Sequence, residues 1–358
     1  MRVAQRFSQG VLRTPARAAA ALLWLCTIAT ATATWAQNPV VPVAPVAPVA
    51  PVVPVVIPGQ PYPVKPVRYV IPFPAGTGND IVGRLLTDRL TRLWGQQVIV
   101  DNRVGASGTI GVAYAVKSPP DGYTLLHCNI APNAISPSLM EKVPFDHRDI
   151  APITRIGMTP NIITVHPSTP FNSLKDMAAH ARSNPGKISY SSGLVGTSPH
   201  LAMEWLKQRM QFDIVHIPYK NAAQGTNDAV AGQLPINITN FPFVMQFVQN
   251  GRLRALAVTS AQRQSQLPHV PTVQESGVAD FEVNSWYGVC AQAAVPVPLL
   301  DKLNADITAI LRTPDMEQRL TDLVIPPSPT TRDEFDRFMR AELARWAQVI
   351  KDAKIPKQ

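Results

Sequence analysis

Prolines return at every third residue from Pro39 to Pro54, and ten of the 28 residues in 39–66 are proline. Proline fixes φ near the polyproline II value and donates no backbone hydrogen bond, so this stretch forms neither helix nor sheet interior. Residues 37–66 therefore read as a tether, disordered or polyproline II, and folding is left to the residues from Val67 onward. At about 3.1 Å per residue such a tract spans several tens of ångströms. That suits a spacer, and a drifting low-complexity insertion reads equally well.

The residues before the tether have a different pattern. Residues 1–17 carry Arg2, Arg6, Arg13 and Arg17 and no acid, 18–31 are apolar, and small residues continue to Ala36. These are the parts of a secretory signal over 1–36, which implies export; an uncleaved anchor is the other reading. Leu25 stands before Cys26 where lipid attachment needs a small residue, so Cys26 belongs to the signal. The sequence separation of Cys128 and Cys290 leaves their pairing open, and two buried free thiols are expected.

The 358 residues hold 33 basic and 24 acidic side chains, a balance of +9. Without the four arginines of 1–17 it falls to +5, with no block of five like charges. That gives no support for nucleic acid binding. No apolar run of about 20 residues lies beyond the N-terminus, which excludes a polytopic membrane protein.

From Val67 onward, short β-rich runs alternate with amphipathic helical segments. Val67–Ile71 is a strand, and Ile81, Val82, Leu85, Leu86, Leu90 and Leu93 fall at helical spacing. The same alternation recurs at 97–126, 162–182, 188–210, 214–231, 236–238 and 253–258, and the chain closes with helices near 298–312, 315–323 and 331–353. This predicts an α/β fold with mainly parallel sheets.

Two turns carry the functional signal. Pro72–Asp80 joins the first strand to the first helix through Gly76 and Gly78, and Tyr190–His200 repeats the arrangement with Gly193 and Gly196. Glycines let backbone N–H groups turn inward, and a helix start adds partial positive charge, so each turn suits an anion. Neither is a nucleotide fingerprint: Ile81 occupies the third glycine position, and no Gly-Lys-Ser/Thr is present. An anion site without phosphate machinery points to a carboxylate held between two lobes. An exported hydrolase or isomerase using Ser198 and His200 is the alternative, although no Gly-x-Ser-x-Gly elbow surrounds any serine. The histidines show no metal-ligand spacing, and His200 at a helix start reads as a capping or packing residue. The Gly105–Gly111 run reads as a loop with close helix packing. No cofactor and no metal are expected.

The ordered motifs resemble those of the tripartite tricarboxylate transporter substrate-binding proteins, the Bug or TctC-like periplasmic receptors. The resemblance runs through Tyr69–Gly76, Asp80 and Arg84, Asp101-Asn102-Arg103, Pro120–Leu126, Asn184–Lys187, Gly193–Leu201, His216–Lys220, Leu253–Thr259 and Pro271–Gly277. It implies a two-lobed type II periplasmic-binding-protein fold that closes on a small carboxylate, an organic acid or an amino acid, without a chemical step. Lobe one would comprise 67–166 plus 282–358, and lobe two 167–281. Carried over by position, contacts come from Phe73, Ala75, Gly76, Thr77 and Asp80, from Asn129 and the Ala131–Asn133 turn, and from Ser192, Gly196, Thr197, Ser198 and Asn240. The implied partner is a membrane permease of the tripartite type or a sensor kinase ectodomain, and the receptor would act as a monomer. The chain departs from the family at Thr77 and Asn79 in the first loop, at Pro199, at Asn221 after Lys220, and at Thr239, where an acid is usual.

Overall fold

The computed structural model describes residues 61–357. The signal, most of the tether and Cys26 lie outside the described residues. Strands β1 (Val67–Ile71), β2 (Val98–Asn102) and β3 (Thr124–Asn129) pair in parallel, with α1 (Gly78–Trp94) and α2 (Thr109–Val116) as crossovers. A π-helical turn (Ala131–Ile135) and α3 (Ser136–Leu139) lead to the 16-residue β4 (Ile150–Val165). Next come α4 (Leu174–Ser183), β5 (Ser189–Ser192), α5 (Ser198–Met210), β6 (Val215–Pro218), α6 (Ala222–Val230), β7 (Ile236–Asn240), α7 (Met245–Gln249) and β8 (Arg254–Val258). The chain then returns through β9 (Asn284–Gln292) and ends in α8 (Val297–Leu311), α9 (Pro314–Asp322) and α10 (Arg332–Asp352).

The strand order is β2-β1-β3-β9-β4-β7-β5-β6, with β8 also on β4. β4 serves both ends of this array: residues 150–160 pair with β9, and 161–165 pair with β7. The alternation of strands and helices predicts mainly parallel pairing, and β1, β2, β3 and β5, β6, β7 obey it. Every pairing made by β4 or β9 is antiparallel, so the two kinds are equal in number. Both strands resist a reading by period. Seven consecutive residues of β9, from Ser285 to Ala291, are buried, so it shows no alternation. β4 contains Pro152, Gly157 and Pro160, and its register against β9 shifts at two places. Proline and glycine are tolerated inside a strand at such irregularities.

Local rules account for the helices. Val82, Leu86 and Leu90 put α1 face down on the sheet, and Gly95 closes the helix in the left-handed conformation. α10 begins with a capping box between Thr331 and Glu334 and buries Phe335, Met339 and Trp346. Its buried Glu342 accepts hydrogen bonds from Trp286 Nε1 (3.1 Å) and Trp346 Nε1 (3.3 Å), which fastens the helix to β9.

Cys128 and Cys290 form a disulfide, with Cα atoms 6.0 Å apart. This corrects the expectation of free thiols. The antiparallel register sets Cys128 opposite Gly288 and Cys290 opposite Leu126, so the bridge runs diagonally between neighbouring strands. Sequence separation hides this pairing because β9 has no period that marks it as a strand. Residues 61–66, which composition assigns to the tether, lie against the domain: Tyr62 Oη donates to Gly122 O (2.7 Å), and its ring sits 5.1 Å from Tyr123 and 5.8 Å from Trp94. Among the described residues no helix is long and apolar enough to cross a membrane.

Candidate functional site

The carboxyl ends of β1 and β5 each lead through a short loop into a helix, and the two loops have the same construction. In the first, Gly76 takes φ +78°, and Thr77 stands at the start of α1 in extended conformation. Thr77 N–H and Oγ1 both donate to Pro74 O, at 3.4 and 2.7 Å. In the second, Gly196 takes φ +80°, and Thr197 N–H and Oγ1 donate to Leu194 O at 3.2 and 2.7 Å. The residue four after each glycine catches that glycine's N–H. Asp80 Oδ2 does so at 2.9 Å, and His200 Nδ1 does so at 3.2 Å.

The consequence is electrostatic. A threonine before a helix ordinarily turns its oxygen onto the first N–H groups. Here both hydroxyls point back into their loops, and neither caps its helix. The first-turn amides of α1 and α5 are left open, together with the positive end of each helix dipole.

Both helix starts line one cleft that is open to solvent on one side. Thr77, Gly78 and Asn79 come from α1 and its cap, Thr197, Ser198 and Pro199 from α5 and its cap, and Asn221, Ala222 and Ala223 from the start of α6. Three helix N-termini therefore converge on one space. Among the described residues Lys220 is the one charged side chain in the lining, and no carboxylate lies there. Phe73, Ile130, Leu194 and Phe243 supply apolar wall.

Polar side chains tie the deep end of the cleft together where β4 passes between its two sets of partners. Asn161 Oδ1 accepts from Ser198 Oγ (3.2 Å) and Asn240 Nδ2 (2.9 Å). Ser285 Oγ lies 2.6 Å from Ser198 Oγ and 3.0 Å from Asn240 Nδ2. These bonds remove the hydrolase alternative: the Ser198 hydroxyl faces an amide and another hydroxyl, while His200 Nδ1 holds the Gly196 N–H. No base addresses the serine. Among the described residues no group of three His, Cys, Asp or Glu converges to hold a metal.

Of the residues expected in the site, Phe73, Gly76, Thr77, Asn129, Ala131, Thr197, Ser198 and Asn240 line the cleft. Ala75 is exposed and is not in the lining. The other four stand behind the wall. Asp80 accepts from Gly76 N–H, Arg84 Nε and Asn102 Nδ2, each at 2.9 Å, and Asn102 also donates to Phe73 O. Burial works to raise the Asp80 pKa, but the bonds from Arg84, Gly76 and Asn102 together hold it below the usual carboxylate range. Asn133 Oδ1 accepts from Asn129 N–H, Ser192 Oγ bonds His216 Nε2 at 2.7 Å, and Gly196 shapes the second loop. Ala222, Phe243 and Ser285 are lining residues that the sequence does not single out, while Asn79, Lys220, Asn221 and Thr239, which also line the cleft, enter the sequence reading only through the family resemblance and the departures from it. A helix over 223–231 is legible, so its N-terminus at Asn221 is within reach of sequence reasoning. Ser285 is not, because it belongs to β9.

The rings of His200 and His216 lie 4.3 Å apart at a 31° tilt, and Tyr190 stacks on His216 at 4.9 Å. Burial, with Lys207 nearby, lowers the His200 pKa to about 4, and burial with the His200 neighbour lowers that of His216 to about 3. His127, wholly buried beneath the cleft, is lowered by desolvation to about 3. Such residues stay neutral in the folded chain while they protonate in the unfolded one. Stability is thus fully present above pH 6.5 and falls as the pH drops toward 4, by roughly 1.4 kcal/mol per pH unit for the wholly buried His127 and by less for His216, which is partly open to solvent. Urea midpoints measured from pH 7 to pH 4 should show this slope, and replacing His127 with a neutral residue should reduce it.

The tripartite tricarboxylate transporter family receptor model, TctC, matches residues 82–355. The chain belongs to this family. Among its relatives, a UPF0065 protein of a Pseudomonas species is 34% identical over 291 residues, covering 81% of this chain and 86% of the relative. BugT of Bordetella pertussis is 32% identical over 293 residues, covering 81% and 90%. The solved structure of R. palustris Rpa4515 with adipate superposes with a TM-score of 0.79 at 32% identity, covering 83% of this chain and 100% of that one. TctC-family proteins are solute receptors, not enzymes, and the fold is that of periplasmic binding proteins. β4 is the strand shared between the two ends of the array, pairing with β9 over 150–160 and with β7 over 161–165.

Proposed function

We propose that this TctC-family receptor captures a small carboxylate in the periplasm and delivers it to the membrane permease of a tripartite tricarboxylate transporter. The halves 67–166 with 282–358, and 167–281, close as lobes around the acid. The observation that carries this reading is the pair of matched loops, each leaving a helix start open toward one cleft. Amides from Gly78, Asn79 and Ser198 would grip carboxylate oxygens, with Ser198, Asn240 and Thr197 adding side-chain bonds and Lys220 adding charge. An amino acid is disfavoured, because no carboxylate in the lining would answer its ammonium. A relative of 32% identity is described with adipate, an acid of the same class. A disulfide between buried cysteines fits an oxidising compartment.

The test is a thermal-shift panel of mono-, di- and tricarboxylates beside their neutral amides. A ligand at a hundredfold excess over Kd stabilises the folded state by about 2.7 kcal/mol, so at least one acid should raise Tm while its amide does not. A panel in which no acid shifts Tm contradicts the reading.

A further inference from the structure

The Gly105–Gly111 run is not explained by the cleft, whose lining includes none of it. Inside it, Ala106 (φ +44°) and Ser107 (φ +51°) are consecutive non-glycine residues in the left-handed region. Such a conformation persists only where the surroundings over-determine it, and it concentrates where a function needs the geometry. Two bonds brace the turn: Gly108 N–H donates to Gly105 O at 2.9 Å, and Thr109 Oγ1 donates to Ala106 O at 2.9 Å. What the strained turn achieves is the aim of one hydroxyl. Ser107 Oγ donates to Val195 O at 2.6 Å.

Ser107 comes after β2, in the half of the array that carries the first loop. Val195 lies in the second loop, one residue before Gly196, whose own N–H is held by His200. The approach at this point is close: a β-carbon on Gly196 would stand 3.0 Å from Leu139 Cδ2 and 3.6 Å from Ser107 Oγ. The second loop is thus fixed from behind by His200 and from the opposite half by Ser107. From this geometry we infer that Ser107 is a positioning residue, a latch that holds the two anion-gripping loops at their working separation without touching the ligand. Preorganised loops lose less freedom on binding, and a ligand leaves only after the latch opens. The effect belongs in the dissociation rate. The part of the inference that concerns ligand release rests on the carboxylate reading; the latch itself does not.

The test compares wild type with Ser107→Ala and with Ala106→Gly, which relaxes the backbone and keeps the hydroxyl. Hydrogen exchange of the ligand-free proteins comes first. Ser107→Ala should speed exchange at 193–197 and 104–109 at least threefold while α4 exchanges as in wild type and the urea midpoint falls by no more than one hydrogen bond accounts for, and Ala106→Gly should leave 193–197 protected. Exchange at 193–197 unchanged in Ser107→Ala overturns the latch, as does a loss of protection spread over the whole domain. Stopped-flow binding of the acid that most raises Tm comes second. Ser107→Ala should raise koff roughly three- to tenfold, the worth of one hydrogen bond, and leave kon within about twofold. An unchanged koff also overturns the role in release. If no acid binds wild type, the carboxylate reading fails, and the exchange result still decides the latch.

Discussion

Asp80→Ala is expected to weaken acid binding at least tenfold and to lower folding stability by about 2 kcal/mol, in the range measured for hydrogen bonds to charged groups. The carboxylate does not line the cleft; it accepts from Gly76 N–H, Arg84 Nε and Asn102 Nδ2 and so sets the curvature of the first loop. Without it the Gly76 amide loses its partner, Asn102 keeps its bonds to Phe73 O and from Arg84 Nη2 but loses the one to the carboxylate, and Gly78 and Asn79 lose the frame that aims them. The Arg84 side chain is half exposed and rehydrates, so the penalty stays below that of a fully buried charge left alone. Asp80→Asn keeps the shape and one acceptor and should fall between wild type and Asp80→Ala. Calorimetric titration and urea unfolding on the three proteins measure both effects. Affinity unchanged in Asp80→Ala would mean that the first loop does not hold the ligand.

Breaking the Cys128–Cys290 bond should cost about 2–5 kcal/mol of stability, with the larger values favoured by the long chain segment it closes. The two cysteines are 162 residues apart in sequence, and both are fully buried. The bridge ties β3 to β9, so it pins the strand that returns from the second half of the array onto the strand that ends at Asn129. A Cys128→Ala/Cys290→Ala chain should unfold at a clearly lower urea concentration than the oxidised wild type, and reduced wild type should behave like it. Affinity should change little, because neither cysteine lines the cleft. Equal midpoints for oxidised and reduced chains contradict this account.

The outer strands and the helices are legible in the sequence because their apolar residues repeat at a strand or helix period and their ends carry turn residues. β9 and the first part of β4 are not. Ser285–Ala291 is buried on both faces and so shows no period, while Pro152, Gly157 and Pro160 make β4 look like loop. Those two strands carry the antiparallel pairings, the disulfide register and Ser285 at the deep end of the cleft. The order strand, glycine turn, helix start is what makes the sequence read both turns as suited to an anion. Their likeness in detail is invisible at that level, because an aspartate in one and a histidine in the other do the same work on a glycine N–H. Asp80, Asn133, Ser192 and Gly196, expected among the contacts, are not in the lining of the cleft. Matching by position finds the loop, but it does not say which way a side chain turns.

The most direct test of the central claim is a titration of the nitrogen-15-labelled protein with the acid that gives the largest thermal shift, monitored at the amide resonances. The account predicts that Gly78, Asn79 and Ser198 move together, saturate at one Kd, and fail to move with the neutral amide of the same acid. Saturable shifts confined to other parts of the chain, with these three amides still, would contradict it.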